Sequence, residues 1–181
     1  MKLVKVINNP EAAKLISDPM RRAILNLLRR KALTEAELAE SLGLTDGTVN
    51  YHLRLLRKIG FLDIARTEVE GHGIMQKFYA PTAYLYLPDV EHLPKEVARY
   101  YYPINIERIR GVLSAGEDSG LRSSLDGRDV DRLGEEMAEE LVNVGKRYEE
   151  TDVNQGEGEE LANTIYKEAL KGLGRPKRIG S

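Results

Sequence analysis

The stretch from Leu33 to Leu62, LTEAELAESLGLTDGTVNYHLRLLRKIGFL, constrains the fold more than any other part of the chain. It reads as two short helices hinged at a glycine. Thr34 offers a side-chain acceptor where the first begins, and Glu37 three residues later completes a capping box. Leu38, Ala39 and Leu42 give that helix an inward stripe. Gly43 ends it, since glycine enters the left-handed conformation of a tight turn without steric cost. Thr45 caps the next helix, Asp46 to about Lys58, in which Val49, Leu53 and Leu56 recur at steps of four and three. Its aliphatic side must face inward, so its small, polar and basic side faces out.

The flanking segments extend this pair into a unit. Asn9-Pro10-Glu11 and Asp18-Pro19 each set a capping acceptor before a proline. They open helices running to about Ile16 and from Pro19 to about Arg30. Ile24, Leu27 and Leu28 share one face of the longer helix, leaving Arg21, Arg22, Arg29 and Arg30 for the surface. Gly60 stops the fourth helix. Phe61 to Val69 and Ile74 to Tyr79 are β-rich runs around the turn signal Glu70-Gly71-His72-Gly73. The chain is therefore expected to be mainly α with a small β-hairpin wing. A winged helix-turn-helix domain would occupy residues 1–82 and a helical C-terminal region residues 83–181.

In the second region Pro94 to about Ser114 is helical in pattern, but Pro103 must kink or split it. Ala115 to Gly127 and Asp152 to Gly158 read as loops, and Arg175, Lys177 and Arg178 as a solvated basic tail. Tyr100, Tyr101 and Tyr102 cannot all face one way, so some are expected to pack. Val130, Leu133, Met137, Leu141, Val144 and Tyr148 recur at steps of three and four, and Leu161 and Ile165 begin the stripe of a last helix. Both an intramolecular core and a two-chain seam fit these stripes. Their approach to a seven-residue repeat favours the seam, so these eight residues are expected to carry dimerisation.

The outward side of the fourth helix carries the functional reading. A DNA major groove admits one α-helix, whose N-terminal residues meet base edges. There Gly47 permits close approach, while Thr48, Asn50 and Tyr51 offer donors and acceptors. The helix start at Thr45 favours a phosphate, partly offset by Asp46. Arg54, Arg57 and Lys58 lie further along, where phosphates are met. Arg66 and Lys77 on the hairpin strands and His72 at its tip are further candidates for DNA contact, whereas His52 is expected to pack beside the aliphatic stripe.

At these residues GLTDGTVNYHLRLLRKIGFL resembles the recognition helix of ArsR-type winged-helix regulators. Their pattern reads Thr/Ser-x-x-Thr/Ala-Val-x-x-His-Leu-x-x-Leu-x-x-x-Gly-Leu. Thr45, Thr48, Val49, His52, Leu53, Leu56 and Gly60 occupy those places, and Phe61 replaces the usual leucine. SDPMRRAILNLL is similar to the family's second helix and RTEVEGHGIMQKFYAPT to its wing. The likeness covers roughly the first 82 residues. With its long helical C-terminal region the chain resembles the larger archaeal members, in which terminal helices assemble the dimer. The resemblance implies a sequence-specific regulator of transcription that binds double-stranded DNA as a homodimer, acts as a repressor, and leaves room for a small-molecule effector. A winged-helix protein–protein adaptor of the transcription machinery, without base readout, is the alternative.

Several chemistries are set aside. There is no cysteine, so disulfides, thiolate metal sites and cysteine nucleophiles are excluded. Family members that sense metals through other ligands use paired Asp and His on the helix after the wing. Here only His92, with Asp89 and Glu91, lies in that region, and a solvated turn is expected rather than a metal; no cofactor is expected. Residues 83–181 hold no Gly-rich phosphate loop, no HExxH and no nucleophile elbow, so no enzyme is expected. Glu135, Glu136, Glu139 and Glu140 read as a solvated face. No run approaches the roughly 18 apolar residues of a membrane span, and the N-terminus lacks a secretory pattern, so a cytoplasmic protein is expected. Residues 1–82 carry 13 Lys and Arg against 9 Asp and Glu (+4), and the remainder 14 against 20 (−6). The positive first part suits a polyanion partner.

Overall fold

The computed structural model describes residues 1–69, 73–114 and 130–173. Strand β1 (Lys2–Ile7) leads into helices α1 (Pro10–Ile16), α2 (Pro19–Arg30), α3 (Glu35–Leu42) and α4 (Asp46–Lys58). Strands β2 (Leu62–Val69), β3 (Met75–Pro81) and β4 (Ala83–Pro88) follow. Helices α5 (Lys95–Ala98), α6 (Tyr102–Ser114), α7 (Val130–Gly145) and α8 (Gly158–Gly172) complete the order, with a 3-10 turn at Lys146–Tyr148.

Local chemistry accounts for the first four helices. Asn9 and Asp18 accept from the backbone N–H groups of Ala12 and Arg21, each ahead of a proline. Thr34 and Glu37 close both halves of the capping box. Gly43 stands at φ +64°, and its N–H and that of Leu44 return to the last turn of α3. β2 and β3 pair antiparallel from Leu62 opposite Pro81 to Val69 opposite Met75, with an irregularity between Ile64 and Arg66. Leu33 adds a short antiparallel bridge to Tyr79, fastening the hairpin to the start of α3. Ile24, Leu28, Leu38, Val49, Leu53 and Phe61 fill the core of this winged unit. The fold is mainly helical with an antiparallel hairpin wing. Pro103 stands at the second residue of α6, so the expected break falls between α5 and α6.

Two strands went unforeseen. β1 runs parallel to β4, from Lys2 opposite Ala83 to Ile7 opposite Pro88. The two-stranded ribbon carries Leu3, Val4, Leu85 and Leu87 into a second core with Met137, Leu141 and Ile165. Tyr86, between Leu85 and Leu87, points into the first core instead. Residues 1–7 therefore help build the C-terminal core, so the two cores do not part cleanly at residue 82.

The same core takes up most of the stripe that was expected to form a dimer seam. Leu133, Met137, Leu141, Val144 and Ile165 are buried within the single chain, and Tyr148 is half-buried against them. Leu161 alone keeps an exposed side chain, and the side chain of Val130 lies outside the described residues. The stripe's buried residues pack against the chain's own β1, β4 and α8. α6 and α7 also pack closely, because a Cβ on Gly134 would come within 2.8 Å of the Tyr102 carbonyl oxygen. The expected loop at 115–127 and the basic tail lie outside the described residues. Among the described residues no helix is long and apolar enough to cross a membrane.

Candidate nucleic-acid interface

α4 is divided between two environments. Val49, Leu53 and Leu56 are fully buried. Gly47, Tyr51, Arg54 and Lys58 recur at i, i+4, i+7 and i+11, and therefore lie together on the opposite side. All four are exposed, and Tyr51, at 57% exposure, is unusually open for its size. Thr45 and Thr48 are exposed at the helix start, where the Thr48 N–H donates to Thr45 Oγ1 at 3.3 Å and their hydroxyl oxygens lie 2.9 Å apart. The first amides of any α-helix lack intrahelical acceptors and sit at the positive end of its dipole.

Two predicted contacts are partly engaged within the chain. Asn50 is half-buried, and its Nδ2 donates to Glu35 Oε2 at 2.6 Å. It therefore clamps α4 to the first turn of α3, with one donor already committed. Arg57 Nη2 lies 3.9 Å from Asp63 Oδ1, joining α4 to β2 across the surface. Such an exposed pair is worth little and yields readily to a phosphate. His52 was expected to pack beside the aliphatic stripe. It is half-buried and meets the Tyr51 ring edge-on at 5.4 Å; its Nδ1 is buried without a hydrogen-bond partner among the described residues.

On the wing, Arg66 is held over the Phe78 ring at 3.8 Å and pairs with Glu68 at 2.7 Å. Lys77 is exposed on the neighbouring strand, opposite Thr67. His72 lies outside the described residues. Val69, Ile74 and Met75 are large, apolar and exposed near the wing tip, a feature that strand periodicity alone did not flag.

Other predicted clusters resolve differently. Asp89 was expected in a solvated turn, but its side chain is only 2% exposed. Its two oxygens meet His92 Nδ1 at 3.0 Å and Lys146 Nζ at 3.2 Å. Burial pushes the Asp89 carboxyl up, yet the bonds from His92 and Lys146 outweigh it and hold the group below its ordinary value. Ligand atoms of Asp89, Glu91 and His92 come within 4.8 Å of one another, but Asp89 spends both oxygens tying β4 to the end of α7. Of the tyrosine cluster, Tyr101 is buried and donates to the Ala13 carbonyl, Tyr102 reaches Glu135, and Tyr100 is exposed. The expected solvated acidic face is also only partial. Glu135 is exposed, whereas Glu136, Glu139 and Glu140 are half-buried. Arg29, expected at the surface, is mostly covered and lies 5.2 Å from the Tyr84 ring.

A family model described as a helix-turn-helix domain matches residues 16–65, the span from the end of α1 into β2. A helix-turn-helix is the architecture in which a second helix presents its N-terminal turns to a major groove. No curated relative matches the chain.

Proposed function

We propose that the protein is a sequence-specific regulator of transcription of the ArsR-like kind, with α4 as its reading helix, and that it acts by binding rather than catalysis. The division of α4 carries this reading. An aliphatic side seated in the core fixes the helix rigidly, while Gly47, Thr48, Tyr51, Arg54 and Lys58 remain open to a duplex. Arg66 and Lys77 extend the basic track onto the wing. One such helix touches only a few base pairs, so a homodimer on a palindrome with half-sites about 34 Å apart is the form that would give useful specificity. A second copy would meet the first at some surface other than the buried Met137 and Leu141. Repression follows if the operator overlaps the start of transcription.

The test is selection of bound duplexes from a random pool, followed by footprinting. One enriched palindrome with half-sites about one helical turn apart is expected. Arg54→Ala should weaken binding to every selected site and lower the salt slope by about 1, with unchanged circular dichroism. The exposed Val69, Ile74 and Met75 favour a second reading, in which the wing docks a protein and the chain serves as an adaptor. Uniform or absent DNA binding would select that reading.

A further inference from the structure

α2 and α6 stand apart beside β4, leaving a cleft of about 530 Å³ where the winged unit meets the helical region. Small-molecule sites commonly span roughly 300–1,000 Å³. Part of the lining is apolar, from Ile16, Leu25, Pro88 and Ile104 with the rings of Tyr86 and Tyr101. Three arginines also line this space, Arg22 and Arg29 from α2 and Arg108 from α6. Glu107 is the one acid among the described lining residues, and it is already paired with Arg110 at 2.6 Å.

The cations are poorly answered. Arg29 Nε is buried with no hydrogen-bond partner among the described residues. Burial lowers the Arg29 guanidinium pKa, and the neighbouring charge of Arg108 acts in the same direction. Arg108 donates to Asn105 Oδ1 at 3.1 Å, and its guanidinium lies 5.4 Å from the Tyr166 ring. The Arg22 side chain makes no ion pair or hydrogen bond with a described residue. Guanidinium groups remain charged at any physiological pH, so among the described residues the cleft holds more positive than negative charge beside apolar walls. A buried charge without a partner is costly, and an incoming anion relieves that cost.

We propose that this cleft binds a small organic oxyanion, with its carboxylate or phosphate held by Arg29, Arg22 and Arg108 and its apolar body against Ile104, Tyr86 and Tyr101. Such a ligand touches both α2 of the winged unit and α6 of the helical region, the place where an effector can act on both. Binding to the free protein is independent of the DNA reading; any effect on DNA affinity rests on it.

The experiment is titration calorimetry on the full chain without DNA, using 2-naphthoate, 1-naphthyl phosphate and the neutral 2-naphthamide as probes. One anionic probe should bind at one site per chain, about tenfold or more tighter than the amide, and the tighter of the two identifies the head group. Arg29→Met removes the charge while keeping much of the stem, and should weaken anion binding about tenfold with amide binding unchanged. Arg108→Met should act in the same direction if Arg29→Met fails to fold. Arg54→Ala, on the far side of α4, should leave binding intact. No saturable binding below about 1 mM, equal affinity for the amide, or indifference to the arginine substitutions would overturn the proposal.

Discussion

Gly43 and Glu37 act on the hinge of the helix-turn-helix unit in different ways. At Gly43 an added Cβ would meet no atom within 4 Å, so the penalty for a side chain lies wholly in the backbone at φ +64°. That penalty is about 1–2 kcal/mol for a residue without glycine's freedom. Glu37 stabilises the same unit by accepting from the Thr34 backbone N–H at 2.7 Å. This bond lowers the Glu37 pKa, with burial opposing and the Thr34 hydroxyl assisting. A carboxyl whose folded pKa is depressed contributes fully above its unfolded value of about 4.3, and that contribution is lost as pH falls through the lower folded value. Glu37→Ala should therefore cost about 1 kcal/mol in urea unfolding at pH 7. The gap from the parent chain should close below pH 4; a gap that stays constant down to pH 3 would count against the capping role.

α7 shows how a helix can carry a seam-like pattern and still be core. Its stripe is covered by β1 and β4 with α8, and Leu141 is 2% exposed at the centre. Leu141→Asp would place a carboxylate where no partner waits, a cost of several kcal/mol. The expected result is a lower melting temperature and lost helicity, with Leu141→Ala losing about 2–5 kcal/mol as the milder control. If Leu141→Asp kept its melting temperature and changed only its sedimentation, α7 would be a seam after all. α4 has the opposite character, since its outward residues can be exchanged without touching the core.

The parts are joined chiefly through β1 and the loop before α8. β1 pairs with β4, and Leu3 donates its N–H to the Thr151 carbonyl at 2.7 Å. Further along that loop Gln155 reaches the Leu28 carbonyl and Gly156 the Arg29 carbonyl, so the end of α2 is gripped from the C-terminal side. Removing residues 1–7 uncovers both cores at once. The lost burial of Leu3, Val4 and Ile7 is on the order of 5 kcal/mol, comparable with the whole stability of a small domain. The truncated chain should melt early and over a broad range. A sharp transition at the parent temperature would show that the ribbon is dispensable.

The helix limits from α1 to α4 and the hairpin could be read directly from residue order, and so could the division of α4. Caps such as Thr34 with Glu37, the turn at Gly43 and the spacing of Val49, Leu53 and Leu56 act over a few residues, so their partners lie within the string itself. The partner of the α7 stripe could not be read that way, because periodicity reveals only that a face must be covered. Folding supplied β1, paired with a strand some eighty positions away in the chain, and so turned an expected seam into an interior. It also buried Asp89 between His92 and Lys146, set Asn50 against Glu35, and drew Arg22, Arg29 and Arg108 around one cleft. Each of these depends on which distant group arrives alongside, and that is a property of packing in three dimensions.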